Sequence, residues 1–549
     1  MMRRPRHPAG LAVPARFLAA VLLAAPGLAA AIGPAACPAQ PPLSLAALAQ
    51  PAAPMDTDAL RVPTAAGGTA DPAAEARLRA EERAAFERIL AERAAVAAPA
   101  PIRLALAPAE RAAIEADAPP VPGGPLRVGA RIALDQAVDF SGLAAAAPAR
   151  GSLPLGGGVA GRADDGGMVW EAALSSAGAR ALRVEFGAIR LAPGVELHVY
   201  NEAGQVFGPY AGEGPDGSGA FWSPSVFGDE VRIHVRAPDA AALAASRLAL
   251  AGLMHLGARV GPLHEAIAAG YVGGPAPSDV GYCGVQVPDC TVNGVCATAT
   301  NPGLTAAADA IAHIQFVKDG ESYICSGAYV AQSGNAPQAP YFLTANHCFS
   351  TQASAASLEA FFRYRTASCD GGCPTLGTLP RVNGATLVAS GARPTQADYT
   401  LVRLSGFPAG GARLIGWAVS PPAEGAYLIH MGHPAGSPLA YSYRRVRRNN
   451  PSVPHWNEAP EPTFTYSGLA STSQDWIGAT AGGSSGGPAL LLPASGDAYL
   501  VGQLLGFAAF TAEAPCDPNE QATIDGAWSA TFPYVRRYVY ERIFRGSFD

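Results

Sequence analysis

The sequence predicts an all-β fold in two successive parts, a β-sandwich over residues 125–260 and a β-rich domain over 278–549, preceded by a helical, Ala/Pro-rich N-terminal segment. Three observations lead there. Segments that alternate apolar and polar residues recur between turns, as in ALRVEFG and GVELHVYN, and a strand buried on one face alternates in that way. Eight of nine cysteines lie beyond residue 282. In that same stretch a histidine, an aspartate and a serine follow one another, each in a distinctive setting. At 549 residues the chain exceeds what one hydrophobic core organises.

The N-terminus carries Arg3, Arg4, Arg6 and Arg16, then an apolar run from Phe17 to Leu28, then Ala29, Ala30 and Ala31. This is the order of a secretory signal peptide, so residues 1–31 are expected to be removed and the product exported, to the periplasm or the medium. The run is short for a bilayer and no later one qualifies, so no membrane residence is expected. Residues 32–70 are Ala/Pro-rich without periodicity and read as a linker unable to order itself. From Asp71, as N-cap, and Pro72 to about Val96, charged residues among alanines predict a helix with the thin apolar stripe Leu78, Phe86, Ile89 and Leu90. It belongs to an Ala/Pro-rich segment over residues 32–124 that precedes the sandwich.

The sandwich follows, with Pro193-Gly194 and Gly228-Asp229 as turns, and it holds no nucleophile among clustered titratable groups. Residues 261–277, with Gly273, Gly274, Pro275 and Pro277, read as a linker. A net charge of -6 gives no reason to expect nucleic acid. The densest basic cluster, Arg444, Arg445, Arg447 and Arg448, reads as a solvated face. Cys283, Cys290, Cys296, Cys325, Cys348, Cys369, Cys373 and Cys516 form an even set in an exported chain and read as four disulfides. No metal is expected there, nor at His430 and His433, because a third ligand is missing.

Three segments carry the chemistry. CSGAYV at Cys325 and YFLTANHCFS at His347 set a histidine directly before Cys348, where one disulfide can pin it within reach of a nucleophile. ADYTLVRL brings Asp398 to the start of an apolar strand, where a buried acid needs a donor such as an imidazole N–H. GATAGGSSGGPALLL offers Ser485 as nucleophile and the N–H groups of Gly483 and Ser485 as an oxyanion hole, the glycines permitting close approach. Chain order separates the candidate folds. The segment also satisfies G-x-S-x-G, yet α/β-hydrolases need a histidine after the serine, and none of the ten lies beyond 485. His347, Asp398, Ser485 is the chymotrypsin order.

With those motifs in place, the chain resembles the trypsin-like serine proteases, and among them the bacterial lysyl endopeptidases, from about residue 281 to 535. The resemblance rests on CGVQVPDC, YFLTANHC, FFRYRTASC, DYTLVRL, HPAG, GSSGGP and VGQLLGF. It implies a double six-stranded β-barrel with the triad between the barrels. It also implies pairing of Cys283 with Cys516, Cys290 with Cys369 and Cys325 with Cys348, leaving Cys296 and Cys373 to each other. Ser484 and Ala479 stand where animal trypsins carry acids. Activation by N-terminal insertion is therefore not expected, and a basic P1 preference must come from elsewhere.

The matching acid is Asp525 in ATIDGAW, among apolar neighbours where a carboxylate favours a cationic P1 side chain, although the subfamily carries a histidine where this sequence has Leu505. Of 38 basic residues only Lys318 is lysine, which would spare a Lys-specific enzyme from itself, and a GC-rich genome gives the same skew. The expected activity is hydrolysis of peptide bonds in protein or peptide substrates through an acyl-enzyme, after Lys or Lys/Arg, by a monomer without cofactor. The alternatives are another P1 preference or a catalytically silent binding protein. By resemblance the sandwich is a pro-domain that aids folding or covers the cleft until it is removed.

Overall fold

A computed structural model of the chain describes residues 60–68, 72–94, 96–115, 124–143, 151–260, 282–285, 287–334, 337–447, 464–468, 476–494, 496–509, 516 and 521–540. The expected signal peptide, the linker over 261–277, Arg448 and most of the 32–70 segment lie outside them. The protein is mostly β. Its elements include β1 (Arg61–Val62), β2 (Ala65–Gly67), α1 (Pro72–Ala94), β3 (Leu126–Asp139), β4 (Met168–Ser175), β5 (Ala181–Arg190), β6 (Glu196–Tyr200), β7 (Glu230–Ala237) and β8 (Arg247–Leu256). In the C-terminal half follow β9 (Ile311–Lys318), β10 (Glu321–Tyr329), β11 (Tyr341–Ala345), β12 (Glu359–Phe362), β13 (Tyr399–Leu404), β14 (Tyr427–Gly432), β15 (Ala440–Arg445), β16 (Pro488–Leu491), β17 (Tyr499–Ala509), β18 (Gln521–Ala527) and α2 (Trp528–Val539).

The upstream sandwich forms as its alternation predicts. One sheet contains β6, β7 and β4, the other β5, β8 and β3. Leu174, Val184, Val199, Ile233 and Leu253 from both sheets share a fully buried core, as the inner faces of a sandwich do. The second sheet does not end there. β3 pairs antiparallel with β10, so one sheet runs β5, β8, β3, β10, β9, β12, out of the sandwich and into the C-terminal half. Beside that seam Glu359 of β12 accepts from Ser225 N at 2.8 Å and from Arg381 Nη1 at 3.0 Å, with Arg183 Nη1 at 3.6 Å. Taking a carboxylate out of water is costly unless donors surround it, and here they come from both halves.

The C-terminal half is two curved sheets. In the first, β11 joins β10 to β13. In the second, β15, β14, β16, β17 and β18 are neighbours in that order. α2 closes this half, burying Trp528, Phe532, Val535 and Val539 in the core that also contains Trp417.

The structure corrects the sequence reading in three places. Within the segment read as a linker, β1 pairs with Trp417–Ala418 and β2 with Ala412–Leu414, and Val62 is buried. Composition alone could not order these residues, but a strand edge supplied by distant chain does. α1 forms over the expected range, yet of its thin stripe only Ile89 is fully buried, against Tyr200 and Val206. Arg444, read as solvated, is buried with its guanidinium 5.6 Å from the Trp476 ring centre, because β15 is an inner strand.

All eight cysteines do form four disulfides, but three pairings differ: Cys283 joins Cys373, Cys290 joins Cys516 and Cys296 joins Cys369. Cys325 joins Cys348 as expected. The reason is local for Cys296. Its helix, Gly294–Thr300, is capped by Asn293, whose Nδ2 donates to the Cys369 carbonyl at 2.9 Å and seats that cysteine beside the helix.

Candidate active site

Three turns meet where β10, β11 and β16 approach one another. His347 leaves β11 and is fixed at once by the Cys325–Cys348 disulfide behind it. Asp398 precedes β13, next to β11 in the sheet, so the pairing itself brings the acid to the histidine. The acid is 1% exposed and both its oxygens are used: Oδ1 accepts from His347 N at 3.0 Å and Oδ2 lies 2.6 Å from His347 Nδ1. A buried carboxylate is tolerated on those terms. Asp398 has φ +52°, a left-handed conformation that costs a non-glycine residue energy. Asn346 N donates to its carbonyl at 2.9 Å, and Gln503 Nε2 holds the preceding Ala397 carbonyl at 2.6 Å.

The third turn carries Gly482, Gly483, Ser484 and Ser485. Its carbonyls are tied back: Ser326 N donates to Ser485 O at 2.8 Å and Ser326 Oγ to Gly483 O at 2.8 Å. Its amides are not. Among the described residues the N–H groups of Gly483 and Ser485 have no acceptor. Gly483 has φ +94°, open to glycine and strained for other residues. Ser485 is 7% exposed, and its hydroxyl makes no hydrogen bond among the described residues. The disulfide sits between the two halves of the site, with Cys348 Sγ 3.9 Å from His347 Nε2 and 3.9 Å from Ser485 O. The structure thus brings His347, Asp398, Gly483 and Ser485 together, with the histidine–acid bond formed and the serine–histidine bond not.

Asp525 lies in β18 opposite Leu504 of β17, the residue whose carbonyl accepts from Gly486 N at 2.7 Å. It is fully buried, with Oδ1 2.8 Å from His430 Nε2 and Oδ2 without a partner among the described residues. Arg444 is close enough to feel its charge, which offsets part of the burial that pushes this guanidinium down to about 10. A small cavity is lined by His430, Ala479, Thr480, Ser484, Gly487 and Leu504, residues of the Ser485 turn and of the strands around this pair. Sequence reasoning missed His430 as the partner of Asp525. The signal was present in HMGH, read only as a possible metal pair. His433 goes elsewhere, its Nδ1 3.0 Å from Ser437 O and its ring stacked on Tyr364 at 5.4 Å. Burial pushes the His433 imidazole down to about 4.

A family model described as the lysyl endopeptidase C-terminal domain matches residues 286–521, and one for the lysyl endopeptidase N-terminal domain matches 161–257. A lysyl endopeptidase from Pseudomonas aeruginosa is 28% identical over 450 residues, covering 80% of this chain and 86% of that protein. The chain is a lysyl endopeptidase-like serine protease. Solved structures that align with it include the active form of the Rv3671c protease from M. tuberculosis, 15% identical over 45% of this chain and 88% of that one, with a TM-score of 0.29. The protease Anisep from Arthrobacter nicotinovorans aligns at 17% identity over 42% and 95%, with a TM-score of 0.28. In this lysyl endopeptidase-like protease, His347, Asp398, Gly483 and Ser485 fall inside the C-terminal match, while Asp525 lies just beyond its end. The sandwich strands β4 to β8 fall largely within the N-terminal match.

Proposed function

We propose that Ser485 is the nucleophile of this serine endopeptidase, His347 its general base and Asp398 the acid that holds the imidazole in place. The observation that carries this reading is the pair of bonds from one buried carboxylate to His347, at 3.0 Å to its N and 2.6 Å to its Nδ1. With Nδ1–H donated to Asp398, Nε2 is the nitrogen left to take the Ser485 proton. Ser485 Oγ then attacks the scissile carbonyl, and the oxyanion is received by the acceptor-free N–H groups of Gly483 and Ser485. His347 passes the proton to the leaving amine, and water releases the acyl-enzyme by the same steps in reverse roles. No metal or organic cofactor takes part. The C-terminal half is read as the double six-stranded barrel that the family resemblance implies, acting as a monomer.

The preferred P1 residue is Lys, or Lys and Arg. A buried carboxylate oxygen without a donor is costly, and Asp525 Oδ2 is such an oxygen among the described residues, while its partner His430 and its strand neighbour Leu504 line the small cavity behind the Ser485 turn. A cationic side chain entering that cavity supplies the donor. The protease is secreted, with the sandwich as a pro-domain removed on maturation. A P1 library tests the specificity: Lys and Arg substrates should outpace Leu with the wild type, and Asp525→Ala should lose that preference. Equal turnover of all three by both proteins removes Asp525 from the pocket.

A further inference from the structure

Ser326 is fully buried, follows directly on Cys325 in β10, and spends every hydrogen-bonding group it has around the nucleophile turn. Its N–H donates to Ser485 O at 2.8 Å, and its carbonyl accepts from Thr344 Oγ1 at 2.8 Å. Its Oγ donates to Gly483 O at 2.8 Å and accepts from His433 N at 2.9 Å. A hydroxyl has one hydrogen. Because His433 brings a donor of its own, that hydrogen goes to Gly483.

With these bonds every carbonyl from Gly482 to Ser485 is held, since Gly482 O accepts from Ala435 N at 2.6 Å and Ser484 O from Gly487 N at 2.9 Å. In a trans peptide the N–H points away from the carbonyl. The N–H of Gly483 is thereby turned away from Ala435, and that of Ser485 away from Gly487. The pliable member is Gly483, with Gly482 before it and φ +94°, because glycine takes up positive and negative φ almost equally readily. No side chain could stiffen it: a Cβ there would lie 2.8 Å from His433 O and 3.2 Å from Ala435 N.

Its two flanking peptides are instead held from outside, the one before it by Ala435 N and the one after it by the Ser326 hydroxyl. Both holds lead back to one short turn, His433–Gly436, the HPAG motif, which takes no part in the proton transfers. Ala435 acts directly; His433 acts through Ser326. The turn is itself anchored, with Tyr364 Oη donating to Gly436 O at 3.0 Å and His433 Nδ1 3.0 Å from Ser437 O.

We propose that Ser326 is a positioning residue for the oxyanion hole, its hydroxyl carrying the hold of the His433–Gly436 turn to the Gly483 carbonyl. The inference rests on the N–H groups of Gly483 and Ser485 forming that hole, and adds what keeps them aimed. Without the hydroxyl, the buried Gly483 carbonyl and His433 N–H both lose their partner, and Gly483 can swing its N–H aside. Ser326 acts through Gly483, so its loss is felt in the transition state and not in substrate binding.

Kinetics of the processed protease test this, with kcat referred to the sites that a fluorophosphonate labels to completion at Ser485, so that unfolded protein is not counted. Ser326→Ala should lower kcat per labelled site about 100-fold with little change in KM. It should weaken by a similar factor a peptide aldehyde, whose adduct with Ser485 puts an oxyanion in the hole. The matching peptide product forms no adduct and should bind as before. Ser326→Thr keeps the hydroxyl and should retain most of the wild-type kcat. Glycine at 432 and 487 leaves room for its methyl, since Cβ atoms there would stand 3.0 Å from Ser326 Oγ and 3.5 Å from Ser326 Cβ.

Wild-type kcat per labelled site in Ser326→Ala, or a loss that appears in product binding and KM alone, overturns the proposal. If Ser326→Ala does not fold, Ser326→Val takes its place beside Ser326→Thr, a pair that differs only in the hydroxyl, and equal kcat within that pair overturns it. A wild type that is not labelled at Ser485 overturns the nucleophile assignment instead, and this inference falls with it.

Discussion

Glu171 in the sandwich and Asp525 in the catalytic half are both fully buried carboxylates beside a histidine and an arginine, yet they are treated in opposite ways. Glu171 is saturated: Tyr200 Oη donates to it at 2.7 Å, His234 Nδ1 lies at 3.5 Å, and Arg232 and Arg93 approach to 3.5 and 3.6 Å. Asp525 has His430 on one oxygen and no partner among the described residues on the other. The same contrast holds for the backbone. The sandwich strands spend their amides on ladders, while the turn at Gly483 and Ser485 leaves two unspent. Asp525 thus keeps one carboxylate oxygen, and the Ser485 turn two amides, that nothing among the described residues uses.

Matched substitutions put that contrast at risk. Asp398→Asn leaves the shape but removes the charge that orients His347, and turnover should fall on the order of 10⁴-fold with little change in KM. Glu171→Gln should leave turnover of the processed protease unchanged and lower the thermal midpoint of the unprocessed chain. Turnover affected alike by both would erase the distinction. Asp525→Ala should reduce kcat/KM for Lys substrates by about 100-fold or more while sparing neutral P1 residues, because a buried cation is then left unpaired. Replacing Cys290 and Cys516 together by serine should cost about 2–5 kcal/mol of stability, measured by denaturant unfolding of the processed protein. That bridge exists only in the catalytic half's own frame.

The smallest expected effects concern pH, and they run in opposite directions. His433 in the catalytic half is held by burial at about 4, against about 6.5 when unfolded. Below pH about 6.5 the unfolded chain therefore binds more protons at this residue, and stability falls with acid until about pH 4. His313 beside it is also pushed down by burial and then by His433. His234 in the sandwich behaves differently. Burial alone would lower it, but its hydrogen bonds to Glu171 and to Glu92 of α1 outweigh burial and raise it. Its contribution is complete below about pH 6.5 and fades as pH rises through the elevated value. Hydrogen exchange should find α1 docked less firmly at alkaline pH, with no parallel loosening around His433. A common response of both regions would break the comparison.

The same contrast explains what was legible in the sequence. His347, Asp398 and Ser485 were readable because each sits at the mouth of a strand whose alternation is local, and chain order did the rest. The helix α1 was readable from its propensity and from Pro72 at its first position. The disulfide partners were not, because they depend on where Asn293 seats Cys369, a contact between residues 76 apart in sequence. Nor was the order of β1 and β2, whose partners lie at Ala412–Ala418. His430 was visible as a residue and invisible as a partner, since only the sheet register brings β14 beneath Asp525. The seam between β3 and β10 was hidden for the same reason: the edge of a strand carries no mark in its sequence of what will pair with it.

The most direct measurement is labelling of the processed protein with a fluorophosphonate, followed by mapping of the modified residue. The account predicts one adduct, on Ser485, absent from Ser485→Ala and greatly slowed in Asp398→Asn. No adduct on the wild type, or an adduct that persists in Ser485→Ala, would contradict it.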